Sequence, residues 1–265
     1  MLAALKTLHW GMFGVLLTAG LVGTLAALPF LLAMVAANPR FAARPAPPLP
    51  VLVLGTLAQS TVLLTIAVGV GLVLAHRVGL RIPLLQAWLA GGTPVRAAGL
   101  LIPALLWGLP AGVALVFAEV LLFARDLPPE FHPLLRIPFW KRLLAGVVYG
   151  GVTEELLTRL FLVSLLAWSL GFVWKTSAGL PSDGAFWGAI VVAALLFRAL
   201  HLPATAAIAP LTSLLVLRAL LLNGIAGVVF GFLFWRHGLE AAMLAHASAH
   251  LVLQGPGFVL IRAVL

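Results

Sequence analysis

The sequence contains no cysteine, which removes disulfides, thiol nucleophiles and thiolate metal sites from consideration. Charge is equally scarce. Only 9% of the 265 residues are Asp, Glu, Lys or Arg, against roughly 25% in an ordinary soluble domain, so composition alone excludes the soluble class. Acids are the rarest of the charges, 7 against 16 Lys and Arg. That excess of base on a soluble protein would suggest nucleic acid. In a membrane protein it sets topology and meets anionic headgroups, so the partners expected are membrane lipids and no nucleic acid. There is no internal repeat and no low-complexity tract, which leaves an inverted-repeat transporter unsupported.

What is present is hydrophobic: 63% of the residues, with a mean hydropathy of +1.18. Long unbroken apolar runs, rather than short alternating ones, specify an all-α, polytopic integral membrane helix bundle of about 7–8 transmembrane helices. Met1 to Ala37 is too long for a cleaved signal peptide, and Trp10 to Ala37 reads as a first retained span. Asn38 to Pro50 reads as a proline-stiffened loop. Val51 to Ala75 is the second span, His76 to Arg96 a connector with an interfacial apolar patch, and Ala97 to Ala124 the third span. Leu143 to Trp174 and Ala185 to Leu202 follow. Ala204 to Leu222 reads as either a span or a re-entrant segment. Asn223 to Trp235 carries Gly224, Gly227 and Gly231 as a packing face, and Leu239 to Leu265 closes the chain. Residues 1–130 thus form an N-terminal set of membrane helices and loops, and 131–265 a core that carries the chemistry.

The polar residues of that core are few and patterned. Glu154, Glu155 and Arg159 interrupt an apolar helix, where each charge costs at least ~2.5–3.5 kcal/mol on insertion scales. Glu155 and Arg159 are four apart and can pair on one face. Glu154 is rotated by about 100° and points elsewhere. Phe197 and His201 are four apart on a second helix, so the ring can cover the imidazole. His246 and His250 are four apart on a third, with small residues between them that let another helix approach. A carboxylate and imidazoles gathered away from bulk water suit general-base catalysis on a water molecule, with further imidazoles donating to an oxyanion. Glu119, Asp126, Glu130, His132, His9, His76 and His237 read as solvated loop residues, and the tryptophans as an interfacial belt.

The order Glu-Glu-x-x-x-Arg, Phe-x-x-x-His, His-x-x-x-(usually Asn) over roughly residues 140–255 resembles the CAAX protease and bacteriocin-processing family (CPBP, or Abi), intramembrane glutamate endopeptidases related to the type II CAAX prenyl proteases. The resemblance implies a hydrolase that cuts a membrane-associated or lipidated protein or peptide, in a multi-pass protein of a bacterial cytoplasmic membrane. It implies Glu154 as catalytic base assisted by His201, and His246 with His250 at the oxyanion site. Glu155, Arg159 and Phe197 then support them. It also implies no cofactor. Three positions depart from the family pattern: His250 for Asn, Leu160 for the Gly after the motif Arg, and Arg198 for the Gly after Phe197. His250 keeps a zinc alternative open, with Glu154, His201, His246 and His250 as ligands at a familiar helical spacing. Two further alternatives are a non-proteolytic bacteriocin self-immunity or scaffold protein and a proton-coupled transporter that uses the same groups as a relay.

Overall fold

A computed structural model describes residues 9–38, 48–92 and 97–265. Residues 39–47 of the expected proline-stiffened loop and 93–96 of the connector lie outside the described residues. The described chain is helical, and its one β-type pairing is an isolated bridge between Lys175 and Pro181. Helix α1 spans Trp10–Ala37 and α2 Leu49–Arg77. A short α3, Pro83–Leu89, carries the exposed Trp88, and α4 spans Ala98–Leu122. Two tight 3₁₀ turns, Ala124–Asp126 and Pro129–Arg136, occupy the polar loop expected before the central helix.

That central helix, α5, is one continuous rod over residues 139–170. It starts as α-helix at Phe139–Leu144 and widens into π-type turns over Ala145–Glu154 and Leu156–Val163. It closes as α-helix at Ser164–Leu170. Helix α6 spans Asp183–Ala199, with Ser182 capping the Ala185 amide. After a kink at His201 a short α7, Leu202–Ile208, continues the same rod. Helix α8, Ser213–His237, begins where Thr212 caps the Leu215 amide. Helix α9, Leu239–Val252, leads through a bend at Gly255, non-helical at φ −86° and ψ −112°, into α10, Phe258–Val264.

Among the described residues, six helices are long and apolar enough to cross a membrane, and α5 runs among them. Two boundaries differ from expectation. Ala204–Leu222 is neither one span nor a re-entrant segment: its first residues belong to α7 and its last to α8, with the break at residues 209–212. Pro210 has no amide to continue the helix, and Thr212 supplies the cap for the next one. Asn223 to Trp235 is accordingly the second half of α8 rather than a separate segment. The outward faces are large and apolar throughout, from Leu106 at 67% exposure to Leu121 at 74%. Water would penalise that surface and a bilayer satisfies it.

Inside, Leu156, Leu160, Phe230, Leu233 and Phe234 are fully buried and tie α5 to α8. Small residues set the closest approaches. A side chain at Gly112 would meet the Ala249 carbonyl at 2.8 Å, and one at Gly108 would run into Ser248 and Ala245. Helix α4 therefore seats α9 at the small residues beside His246 and His250. Of the glycine face on α8, Gly227 lies against Ala194 and Gly231 against Ile190, while Gly224 faces open space. Replacing Gly108 by Val should destabilise the protein by about 1–3 kcal/mol, the usual cost of overpacking. Thermal unfolding in detergent reads this, and an unchanged midpoint would contradict the packing described.

Candidate active site

Three elements deliver the polar residues. The widened turns of α5 carry Glu154, Glu155 and Arg159, the α6–α7 kink carries Phe197 and His201, and α9 carries His246 and His250. π-Type turns are uncommon and concentrate at functional sites, because they re-aim side chains that an α-helix would stack. The Thr158 hydroxyl accompanies the widened stretch by donating to the Glu154 carbonyl at 2.6 Å. Thr153 anchors it to α1 by donating to the Gly20 carbonyl at 2.8 Å.

Glu155 is completely buried. Its Oε1 accepts from His246 Nδ1 at 2.7 Å and meets Arg159 Nη1 at 3.2 Å. Arg159 also donates to the Thr158 hydroxyl and to the Gly227 carbonyl at 3.1 Å. The expected Glu155–Arg159 pair is therefore present, and it also holds His246. The imidazole is clamped on its faces as well. It stacks on Phe230 at 4.7 Å and 23°, and on His250 at 5.1 Å and 15°. Two rings cannot stack on the same face, so His246 lies between them.

Glu154 points away from this knot, as its rotation from Glu155 requires. Its carboxylate has His201 Nε2 3.9 Å from one oxygen and His246 Nε2 3.8 Å from the other. Both gaps exceed a direct hydrogen bond. The Glu154 side chain is 19% exposed and that of His201 36%, so the group is reached from outside the core. His201 Nδ1 donates to the Phe197 carbonyl at 2.8 Å; since a carbonyl only accepts, the neutral ring carries its lone pair on Nε2, facing Glu154. The Phe197 ring also packs edge-on against the imidazole at 4.4 Å, as its spacing indicated.

Of the four principal candidates, Glu154, His201 and His246 converge. His250 joins them through its stack on His246, and its Nδ1 is buried without a hydrogen-bond partner. Among the described residues, no group of three or more His, Cys, Asp or Glu is disposed to hold a metal ion.

Several contributors carry no signal that sequence spacing could reveal. Gly146 and Gly150 form a cradle for the imidazoles: a side chain at Gly146 would strike His250, and one at Gly150 would come within 2.9 Å of His246 Nε2 and 3.4 Å of His250 Nε2. Phe230 and the Gly227 carbonyl reach the site from α8. Arg198 donates to the Thr205 hydroxyl at 3.2 Å and lies within electrostatic range of Glu154 and Arg218. Glu119 is a correction. It is not a solvated residue near the headgroups but is 4% exposed, accepting from Arg218 Nε at 2.8 and 3.0 Å. Its partner lies 99 residues away on α8, whereas sequence offered only the neighbouring Arg125.

A carboxylate between imidazoles inside a multi-pass helix bundle is an arrangement that hydrolysis within a membrane would use. Residues 136–252, the segment that carries the site, match the family described as type II CAAX prenyl endopeptidase Rce1-like. The match covers this segment of the chain, is consistent with its CPBP-like motifs, and supports a membrane protease of the CAAX endopeptidase kind. No curated protein and no solved structure matches it significantly.

The Glu119–Arg218 pair gives a stability test. Glu119→Ala leaves a largely buried guanidinium unpaired and should cost about 3 kcal/mol. The double variant Glu119→Ala/Arg218→Leu should recover much of that loss in a thermal melt. A double variant no more stable than Glu119→Ala would contradict the pairing.

Proposed function

We propose that the protein hydrolyses a peptide bond of a membrane-associated or lipidated protein or peptide, with Glu154 as the general base. The observation that carries this is the Glu154 carboxylate lying between two imidazole Nε2 atoms, at 3.9 and 3.8 Å, each ring tied by its Nδ1 to an acceptor. A gap of that size, too long for direct contact, suits one bridging water. Such a water donates one hydrogen to Glu154 and the other to His201 Nε2, leaving an oxygen lone pair free to attack a carbonyl carbon. Glu154 takes the first proton as the C–O bond forms. It returns that proton to the amine nitrogen as the C–N bond breaks, so the carboxylate is regenerated.

The carbonyl oxygen that becomes negative needs donors. His246 serves as the imidazolium, donating from Nε2 while Glu155 accepts at Nδ1 and stabilises the positive ring. The same logic applies to the carboxylate behind the histidine of a serine-protease triad. His250 offers a second ring nitrogen on the same glycine-lined patch, since both Nε2 atoms approach Gly150. In this reading His246 acts from Nε2, its Nδ1 being engaged by Glu155, and no step is routed through a metal.

The test compares protein termini in membranes holding wild type or Glu154→Gln, by mass spectrometry, and then follows the identified substrate with purified protein. Turnover should fall by about 10²–10⁴-fold in Glu154→Gln and by about 10²-fold or more in His201→Ala, both proteins remaining folded. Undiminished turnover in Glu154→Gln would overturn the assignment. Activity should survive chelators; loss to a chelator with recovery on added zinc would assign the same residues to a metal-dependent reaction.

A further inference from the structure

The strongest unexplained feature lies outside the active site, at the end of the bundle where α5 begins. Arg142 is only 7% exposed, yet its Nε and Nη1 are buried with no hydrogen-bond partner. Its guanidinium lies over the Phe258 ring at 3.0 Å, a stacked geometry that leaves the guanidinium edge free to bond. Arg142 lines a pocket of about 510 Å³ together with Arg136, Arg262 and Gln254. Arg262 is close enough to act on Arg142 electrostatically, like charge on like. Among the described residues, none of these three arginines forms an ion pair.

A buried guanidinium with unmet donors is costly, and crowding a second and third cation beside it raises the cost. Three cations from three separate elements, converging on a cavity that no acid lines, form a site for an anion. Guanidinium forks match the oxygens of phosphate in particular. The setting identifies the source of that phosphate. Phe139 and Val259, exposed at 50% and 69%, also line the pocket, and give an acyl chain an apolar wall. Trp140, half exposed, carries the Lys141 ammonium 5.5 Å from its ring; such aromatic and basic pairs mark the headgroup level of a membrane.

We propose that Arg136, Arg142 and Arg262 form a binding site for the phosphate of an anionic phospholipid, separate from the hydrolytic centre and about three turns along α5 from Glu154. A lipid held there ties the start of α5 to α10, and so supports the rod that carries the catalytic carboxylate.

The full chain in detergent micelles, probed with phosphatidylglycerol, phosphatidylcholine and inorganic phosphate, provides the test. Thermal unfolding midpoints and native mass spectra are the readouts. Phosphatidylglycerol should raise the midpoint and persist as a bound adduct, while phosphatidylcholine and inorganic phosphate should do neither. Arg142→Gln should weaken phosphatidylglycerol retention by about 10-fold, the scale of one charge-assisted hydrogen bond. Arg262→Gln, at an exposed position where folding is not at stake, should also weaken it; Arg125→Gln, exposed outside the pocket, should not. Equal retention by wild type and Arg262→Gln would overturn the proposal. Equal stabilisation by inorganic phosphate would overturn the lipid as its source and leave a free-phosphate site.

Discussion

A carboxylate buried among apolar helices has to be answered by a positive charge or a donor, and Glu155 is where this structure meets that demand. Its Oε1 receives both Arg159 and His246, and Arg159 goes on to Thr158 and to the Gly227 carbonyl. One acid therefore binds α5, α8 and α9 together at their centre. Because Glu155 is committed inward, its neighbour Glu154 is turned toward the side from which water can arrive. The adjacent acids have opposite environments, one sealed and the other partly open.

Geometry around this knot depends on small residues more than on charge. Gly146 and Gly150 on α5 make room for the two imidazoles of α9, and Gly108 and Gly112 on α4 seat the back of that helix. The histidines are thereby confined between backbones, with Phe230 closing one face of His246. A ring held this way keeps its Nε2 aimed, and in the proposed reaction would spend no rotamer entropy. The same reasoning explains the absence of a close Glu154–histidine hydrogen bond: the rings are fixed by their Nδ1 partners, which hold their Nε2 atoms 3.9 and 3.8 Å from the carboxylate.

Much of the site was legible in the sequence because its logic is local. The four-residue spacings Glu155–Arg159 and Phe197–His201 correspond to contacts in the structure, and the first span begins and ends where hydropathy indicated, at Trp10 and Ala37. What escaped was non-local or conformational. Glu119 looked like an interfacial acid because its partner Arg218 belongs to a helix distant in sequence. The π-type turns leave no compositional mark beyond scattered glycines, and the value of Gly146 and Gly150 depends on which rings face them. The division of Ala204–Leu222 was missed because hydropathy is continuous across Pro210, while the backbone is not.

The proposed mechanism needs one water bonded to both Glu154 and His201, whose facing atoms lie 3.9 Å apart, so that the water sits beside the line joining them; an experimental density map that resolves ordered water examines this directly. It should show a water hydrogen-bonded to the Glu154 carboxylate and within reach of His201 Nε2, with the His201 Nδ1 bond to the Phe197 carbonyl intact. A Glu154 carboxylate bonded directly to His201, or closed off by Arg198, would leave the water no site and would contradict the mechanism.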